Sequence, residues 1–94
     1  MKYYALIYQV TDDYMERRPQ FREVHLRMAR ESALRGELVM AGAIGDPPDG
    51  ALLIFRCADR SAVENFARQD PYVLNGLVTK LEVKPWAVVI GGEQ

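Results

Sequence analysis

The stretch Asp70-Pro71-Tyr72-Val73-Leu74-Asn75-Gly76-Leu77-Val78, followed by Val83-Lys84-Pro85-Trp86, constrains the fold more tightly than any other part of the chain. Asp70 ahead of Pro71 reads as a cap entering one short helical turn, because proline suits the first helical position and has no N–H to leave unsatisfied. Gly76 closes that turn, since glycine accepts the left-handed conformation that a helix exit often requires. From Leu77 the pattern becomes that of a strand, with Thr79, Leu81 and Val83 alternating against Lys80, Glu82 and Lys84. Pro85 removes a donor from that strand and points to a kink or an edge position. The Asp70 carboxylate is thus held at a rigid corner ahead of a strand. What faces it decides what the chain can do, and the leading candidate is His25, the sole histidine of the sequence.

The remaining elements follow in order. Lys2 to Val10 reads as a strand with Tyr4, Leu6, Tyr8 and Val10 on one face and Tyr3, Ala5 and Ile7 on the other, so both faces are apolar or aromatic. Thr11-Asp12-Asp13 is a turn and candidate cap, with a short helical lead-in through Arg17. The main helix is expected from Pro19 to about Arg35, with Pro19 in its first turn and Gly36 just past its end. Phe21, Val24/His25, Met28 and Ser32 fall on one stripe, which puts His25 on or beside the inward face and Arg22 one turn before it. Glu37 to Ala43 is a second strand, Gly45 to Gly50 a loop dense in breakers, and Ala51 to Cys57 a third strand, the two strands pairing as a hairpin. Asp59 or Ser61 can cap a second helix whose apolar side is Ala62, Val63, Phe66 and Ala67, ending before Asp70 because the residue preceding proline is driven out of the helical region. The last strand is expected to continue through Ala87-Val88-Val89-Ile90, with Gly91 to Gln94 as a polar tail.

Strand, helix, strand, strand, helix, strand is the α+β ferredoxin-like arrangement: βαββαβ, a four-stranded antiparallel sheet with both helices on one face. No repeat or linker divides residues 1–94, so one domain is expected. The other sheet face has no helix to cover it, yet the first and third strands are apolar there too. An uncovered apolar face of that size calls for a partner, and a homodimer packed sheet to sheet is the economical solution.

Composition narrows the functional classes. A formal net charge of −1, with basic residues interleaved among acids, gives no general attraction to nucleic acid or to an anionic membrane surface. Cys57 is the single cysteine, so no internal disulfide or cysteine metal motif is possible, and a buried thiol is its plain reading. Neither a cleavable signal nor the ~20 apolar residues of a membrane span is present, and the chain is expected to stay in the cytosol. No nucleophile motif, phosphate-binding glycine loop or dinucleotide fingerprint occurs. Metal binding would need further ligands beside His25, for which Asp46 and Asp49 offer only a weak signal.

Arg22-Glu23-Val24-His25-Leu26, Glu37-Leu38-Val39-Met40-Ala41-Gly42 and the closing Asp70-Pro71-Tyr72…Gly76-Leu77-Val78…Pro85-Trp86 together resemble the YciI-like (YCII-related) domain over nearly the whole chain. The resemblance implies a dimeric α/β barrel of ferredoxin-like subunits and a cleft with a histidine and an aspartate proposed as an acid–base pair, without a required cofactor. Carried over, these are His25 and Asp70. Ala43 stands where many members have proline after the Ala-Gly of the second strand, so the shape of the Ala43–Gly50 loop, and with it substrate preference, does not transfer.

An imidazole beside a carboxylate is a general acid–base unit, because an unperturbed histidine titrates near ~6.5 and the carboxylate fixes the ring and favours its charged form. Such a pair can move a proton next to a carbonyl or phenol, giving isomerisation, or elimination where a leaving group is present. Arg22 and Tyr72 are candidate substrate-binding residues, Arg22 through a bidentate contact to an anionic group. Plainer readings stand beside each: a helix histidine satisfied by any polar partner, an aspartate that only caps, a surface ion pair of Arg22 with Glu23 or Glu16, and a Tyr72 packed in the core. Tyr3, Tyr4, Tyr8, Phe55 and Trp86 read as sheet and interface packing. The leading function is a cofactor-independent lyase or isomerase for a small molecule; the alternative is a non-catalytic dimeric module that binds a small ligand or serves a regulatory role.

Overall fold

The computed structural model describes residues 1–92. Its elements are β1 (Lys2–Val10), α1 (Tyr14–Leu34), β2 (Leu38–Ile44), β3 (Gly50–Cys57), α2 (Ser61–Gln69), α3 (Pro71–Leu74) and β4 (Val78–Trp86). The strands form one sheet in the order β2-β3-β1-β4, and every neighbouring pair is antiparallel. This is the expected ferredoxin-like βαββαβ architecture, with α3 as a third, single-turn helix at the corner before β4.

Cross-strand register sorts the side chains by face. Tyr4, Leu6 and Tyr8 of β1 lie opposite Phe55, Leu53 and Ala51 of β3 on one side. That side carries the core, where Leu6, Leu53, Phe55 and Leu38 pack with Val63, Phe66 and Ala67 of α2, and Met28 and Ala29 of α1 lean against them. Both long helices therefore cover the same face. Cys57 is buried on it as a free thiol, and burial pushes its pKa up. The second face presents Ala5, Ile7, Leu52 and Ile54, flanked by Met40, Ile44 and Trp86, which are 65%, 46% and 49% exposed. Along β4 that face turns charged, through Lys80, Glu82 and Lys84, whose ion pairs span 3.8 and 3.6 Å.

Three local features differ from expectation. Helix α1 begins at Tyr14, not at Pro19, and Pro19 sits inside it. A helix-interior proline costs about 3 kcal/mol. Two contacts offset that cost: Tyr14 is buried against Tyr72 and Leu77, worth about 2 kcal/mol, and Arg17 Nη2 donates to the Asn75 carbonyl at 2.6 Å. Strand β4 ends at Trp86, two residues after Lys84 and beside β1 alone, so Val89 and Ile90 stand 83% and 90% exposed. Of the expected tail, Gly91 and Gly92 are described and Glu93 and Gln94 lie outside the described residues. The N-cap position of α2 is Arg60, which makes no side-chain capping bond, rather than Asp59 or Ser61; Asp59, one residue earlier, accepts from the Ser61 N–H at 2.8 Å and from the Ser61 hydroxyl, and these bonds hold its pKa below the usual range.

The closing corner matches its sequence. Pro71 opens α3, Gly76 follows it at φ 76°, and the Leu77 N–H reaches back to the Tyr72 carbonyl at 2.9 Å. Pro85 lies on β4, an edge strand, where a missing donor costs the ladder nothing. No described helix is long and apolar enough to cross a membrane.

Leu6 is fully buried at the sheet centre. Leu6→Ala is expected to lower unfolding free energy by about 3 kcal/mol, the usual cost of such a core cavity, read as a lower urea midpoint at unchanged slope.

Candidate functional site

Asp70 is the residue on which the site converges. It ends α2 and starts α3, at φ −65° and ψ 121°, the extended conformation required ahead of proline. Its own N–H still donates to the Phe66 carbonyl at 3.0 Å, so α2 anchors the backbone and leaves the side chain free to serve other elements. That side chain has no solvent exposure. A buried carboxylate persists only when it is surrounded by donors. Asp70 Oδ1 accepts from the Tyr72 N–H at 3.0 Å, which is the helix cap, and lies 2.8 Å from His25 Nδ1. Its Oδ2 accepts from the Tyr8 hydroxyl at 2.8 Å. The capping and histidine-binding readings of Asp70 are thus both met, by the same oxygen.

The imidazole is held on two sides. With the carboxylate as acceptor, Nδ1 carries the hydrogen, and Nε2 is the ring nitrogen left for other chemistry. The Tyr72 ring stacks on the imidazole at a centroid distance of 4.0 Å and an interplanar angle of 13°. Tyr14 meets the Tyr72 ring edge-on at 5.8 Å, and the Arg18 guanidinium lies 5.6 Å from the centre of the Tyr14 ring. An unbroken layer therefore runs from Arg18 through Tyr14 and Tyr72 to His25, Asp70 and Tyr8.

These groups bound a cavity of about 350 Å³ between α1 and the sheet. Its helix wall includes Tyr14, Arg18, Arg22, His25 and Leu26, Tyr72 and Tyr8 close its floor, and β2 supplies the opposite side from Leu38 to Ala43. The volume is in the range of sites for small organic molecules. All four residues singled out from the sequence are brought together: His25 and Asp70 in direct contact, Arg22 and Tyr72 on the cavity wall. Among the described residues Arg22 forms no ion pair, contrary to the surface reading of it. Asp46 and Asp49 are not on the cavity wall, and among the described residues no three His, Cys, Asp or Glu side chains gather as a metal would require.

Tyr8, Tyr14 and Arg18 were not legible as site residues. Tyr8 alternates with Tyr4 and Leu6 as any sheet aromatic does, and its partner lies 62 positions away. Tyr14 and Arg18 sit ahead of the expected helix start, so helical phase could not be assigned to them.

Burial first, and then the neighbouring Asp70 carboxylate, push the Tyr8 phenol far above its ordinary 10.0. Folded Tyr8 keeps its proton where the unfolded phenol releases it, so its contribution to stability is complete below about pH 10 and is lost above that, at up to about 1.4 kcal/mol per pH unit. Tyr8→Phe is expected to remove this part of the alkaline slope and to cost about 2 kcal/mol at neutral pH, because Oδ2 of a buried charge loses its donor. Urea titrations between pH 7 and 11 read both effects.

Comparison with known proteins places this geometry. The YCII-related domain matches residues 1–87. The structure is similar to that of a 5-chloro-2-hydroxyhydroquinone dehydrochlorinase from Burkholderia phenoliruptrix in complex with 2,5-dihydroxybenzoquinone, with a TM-score of 0.74 and 18% identity over 90% of this chain and 93% of that one. It is also similar to a protein of Agrobacterium tumefaciens, with a TM-score of 0.61 and 16% identity over 95% and 94% of the two chains. At such identities the likeness is one of fold. A search among curated proteins finds no sequence match. The domain match, spanning all but the last few residues, is decisive: the chain belongs to the YCII-related domain family.

Proposed function

We propose that this protein is a cofactor-independent lyase or isomerase for a small ring or keto–enol compound, with His25 and Asp70 as its acid–base pair. The observation that carries the reading is the 2.8 Å contact between an imidazole and a fully buried carboxylate 45 positions apart, at the wall of a cavity of organic-molecule size. Asp70 fixes the tautomer and orientation of the ring. His25 Nε2 accepts a proton from a ring hydroxyl or from a carbon next to a carbonyl, and the electron pair moves into the ring. Returning the proton at another atom completes an isomerisation; departure of an anionic leaving group completes an elimination. The similar fold of a dehydrochlorinase agrees with the second outcome.

Proton transfer is read directly by deuterium wash-in from D₂O, followed by NMR across a panel of keto–enol and hydroxylated ring compounds. His25→Ala is expected to slow exchange by about 10²–10⁴-fold and Asp70→Asn to slow it as well. Equal exchange by wild type and His25→Ala would overturn the acid–base role and leave a ligand-binding module.

The same reading includes a homodimer formed through the helix-free sheet face. The half-buried Ala5, Ile7 and Leu52 with the exposed Met40, Ile44 and Trp86 make an apolar surface of the kind that marks an interface. Light scattering at about 10 μM is expected to give twice the monomer mass, and Leu52→Lys to give a folded monomer, as a charge on such a surface opposes burial. A wild-type monomer would remove this element.

A further inference from the structure

Resting on the reading of the cavity as a small-molecule site, we infer that Arg18, Arg22 and the Tyr72 hydroxyl form an oxyanion subsite, so that the ligand is a ring bearing a negatively charged oxygen. Three independent observations carry this. First, the chain as a whole is slightly acidic, yet every charged side chain on the cavity wall is basic: Arg18, Arg22 and Arg30, with His25 between them and no Asp or Glu. Arg18 and Arg22 are one turn apart on α1 and share a face. Neither forms an ion pair among the described residues, so their charge is not spent within the chain. Second, the Tyr72 residue is 3% exposed, and its hydroxyl is buried without a hydrogen-bond partner among the described residues. Arg22 and Arg18 approach closely enough to pull its pKa down, but burial, with Tyr14 beside it, outweighs them and keeps the phenol protonated as a donor. Third, Arg18 Nε is likewise buried and unpartnered, while its guanidinium is pinned over the Tyr14 ring.

Buried donors without acceptors are costly in an isolated fold and are satisfied by a ligand that brings an acceptor. The Tyr72 ring stacks on His25 at a centroid distance of 4.0 Å, and both residues line the same cavity. An anion bound by Tyr72 and Arg18 would thereby present its ring to the imidazole. A phenolate, an enolate and a carboxylate all supply the required oxygen. In proton abstraction the same donors would hold the charge that develops on the substrate oxygen.

The test is equilibrium binding, which does not depend on turnover. The probes are hydroquinone, which is neutral, 2,5-dihydroxybenzoate, the same ring with a carboxylate, and 2,5-dihydroxybenzoquinone, an enolic acid. Calorimetry at neutral pH is expected to show both anions bound at least about tenfold more tightly than hydroquinone, the value of a charge-assisted hydrogen bond or more. Tyr72→Phe keeps the stacked ring and removes only the hydroxyl; it and Arg18→Gln should each weaken the anions about tenfold or more and leave hydroquinone unchanged. Circular dichroism checks that both variants fold, and Arg22→Gln supplies the same comparison should Arg18→Gln unfold. His25→Ala separates the two proposals, because it slows exchange under the acid–base reading while retaining the preference for anions. Equal affinity for charged and neutral rings, variants that weaken all three probes alike, or no binding of either anion at millimolar concentration would each overturn the oxyanion subsite.

Discussion

A carboxylate with no access to water is the constraint around which this chain is arranged. The Asp70 side chain could not stay buried without donors to both oxygens, and the fold supplies them from three places: the first strand through Tyr8, the long helix through His25 and its own following turn through the Tyr72 N–H. The proline after it sets the backbone angle, and α2 holds the backbone still. A group that in most proteins would be a surface cap, worth about 1 kcal/mol, has become the node joining sheet, helix and corner.

How far this could be read beforehand depends on whether the signal was local. The corner was legible because Pro71 and Gly76 act through their own backbones, and the element order followed from alternation and helical period. The pairing of His25 with Asp70 rests on His25 being the sole histidine and on a family resemblance, since no spacing rule links positions 45 apart. Tyr8 escaped for the same reason: its phenol is one of several sheet aromatics until the register places it against Oδ2. The expected start of α1 falls too late because Pro19 is a strong local signal for a first helical turn, whereas the burial of Tyr14 that overrides it is a tertiary contact with Tyr72 and Leu77. Missing that first turn also hid Arg18, whose position over Tyr14 exists only once the turn is helical.

The two faces of the sheet divide the work of the molecule. One face, under α1 and α2, holds both the packed core and, toward β2, the cavity with its basic wall. The other is apolar over β1, β2 and β3 and charged along β4, where Lys80, Glu82 and Lys84 discourage edge-to-edge growth of the sheet. Apolar strands on both faces, unusual for a half-wet sheet, are explained on one face by helices.

The contacts at Asp70 also fix when the site can come into existence. Tyr8 belongs to the first tenth of the chain and Asp70 to its last third, so the pair closes a loop of 62 residues, and His25 joins across 45. Neither contact can precede the docking of β1, α1 and the final corner upon one another. A nascent or half-collapsed chain therefore presents a solvated aspartate and an untethered imidazole, and a protein that is only nearly folded lacks the assembled cluster of Tyr8, His25 and Asp70.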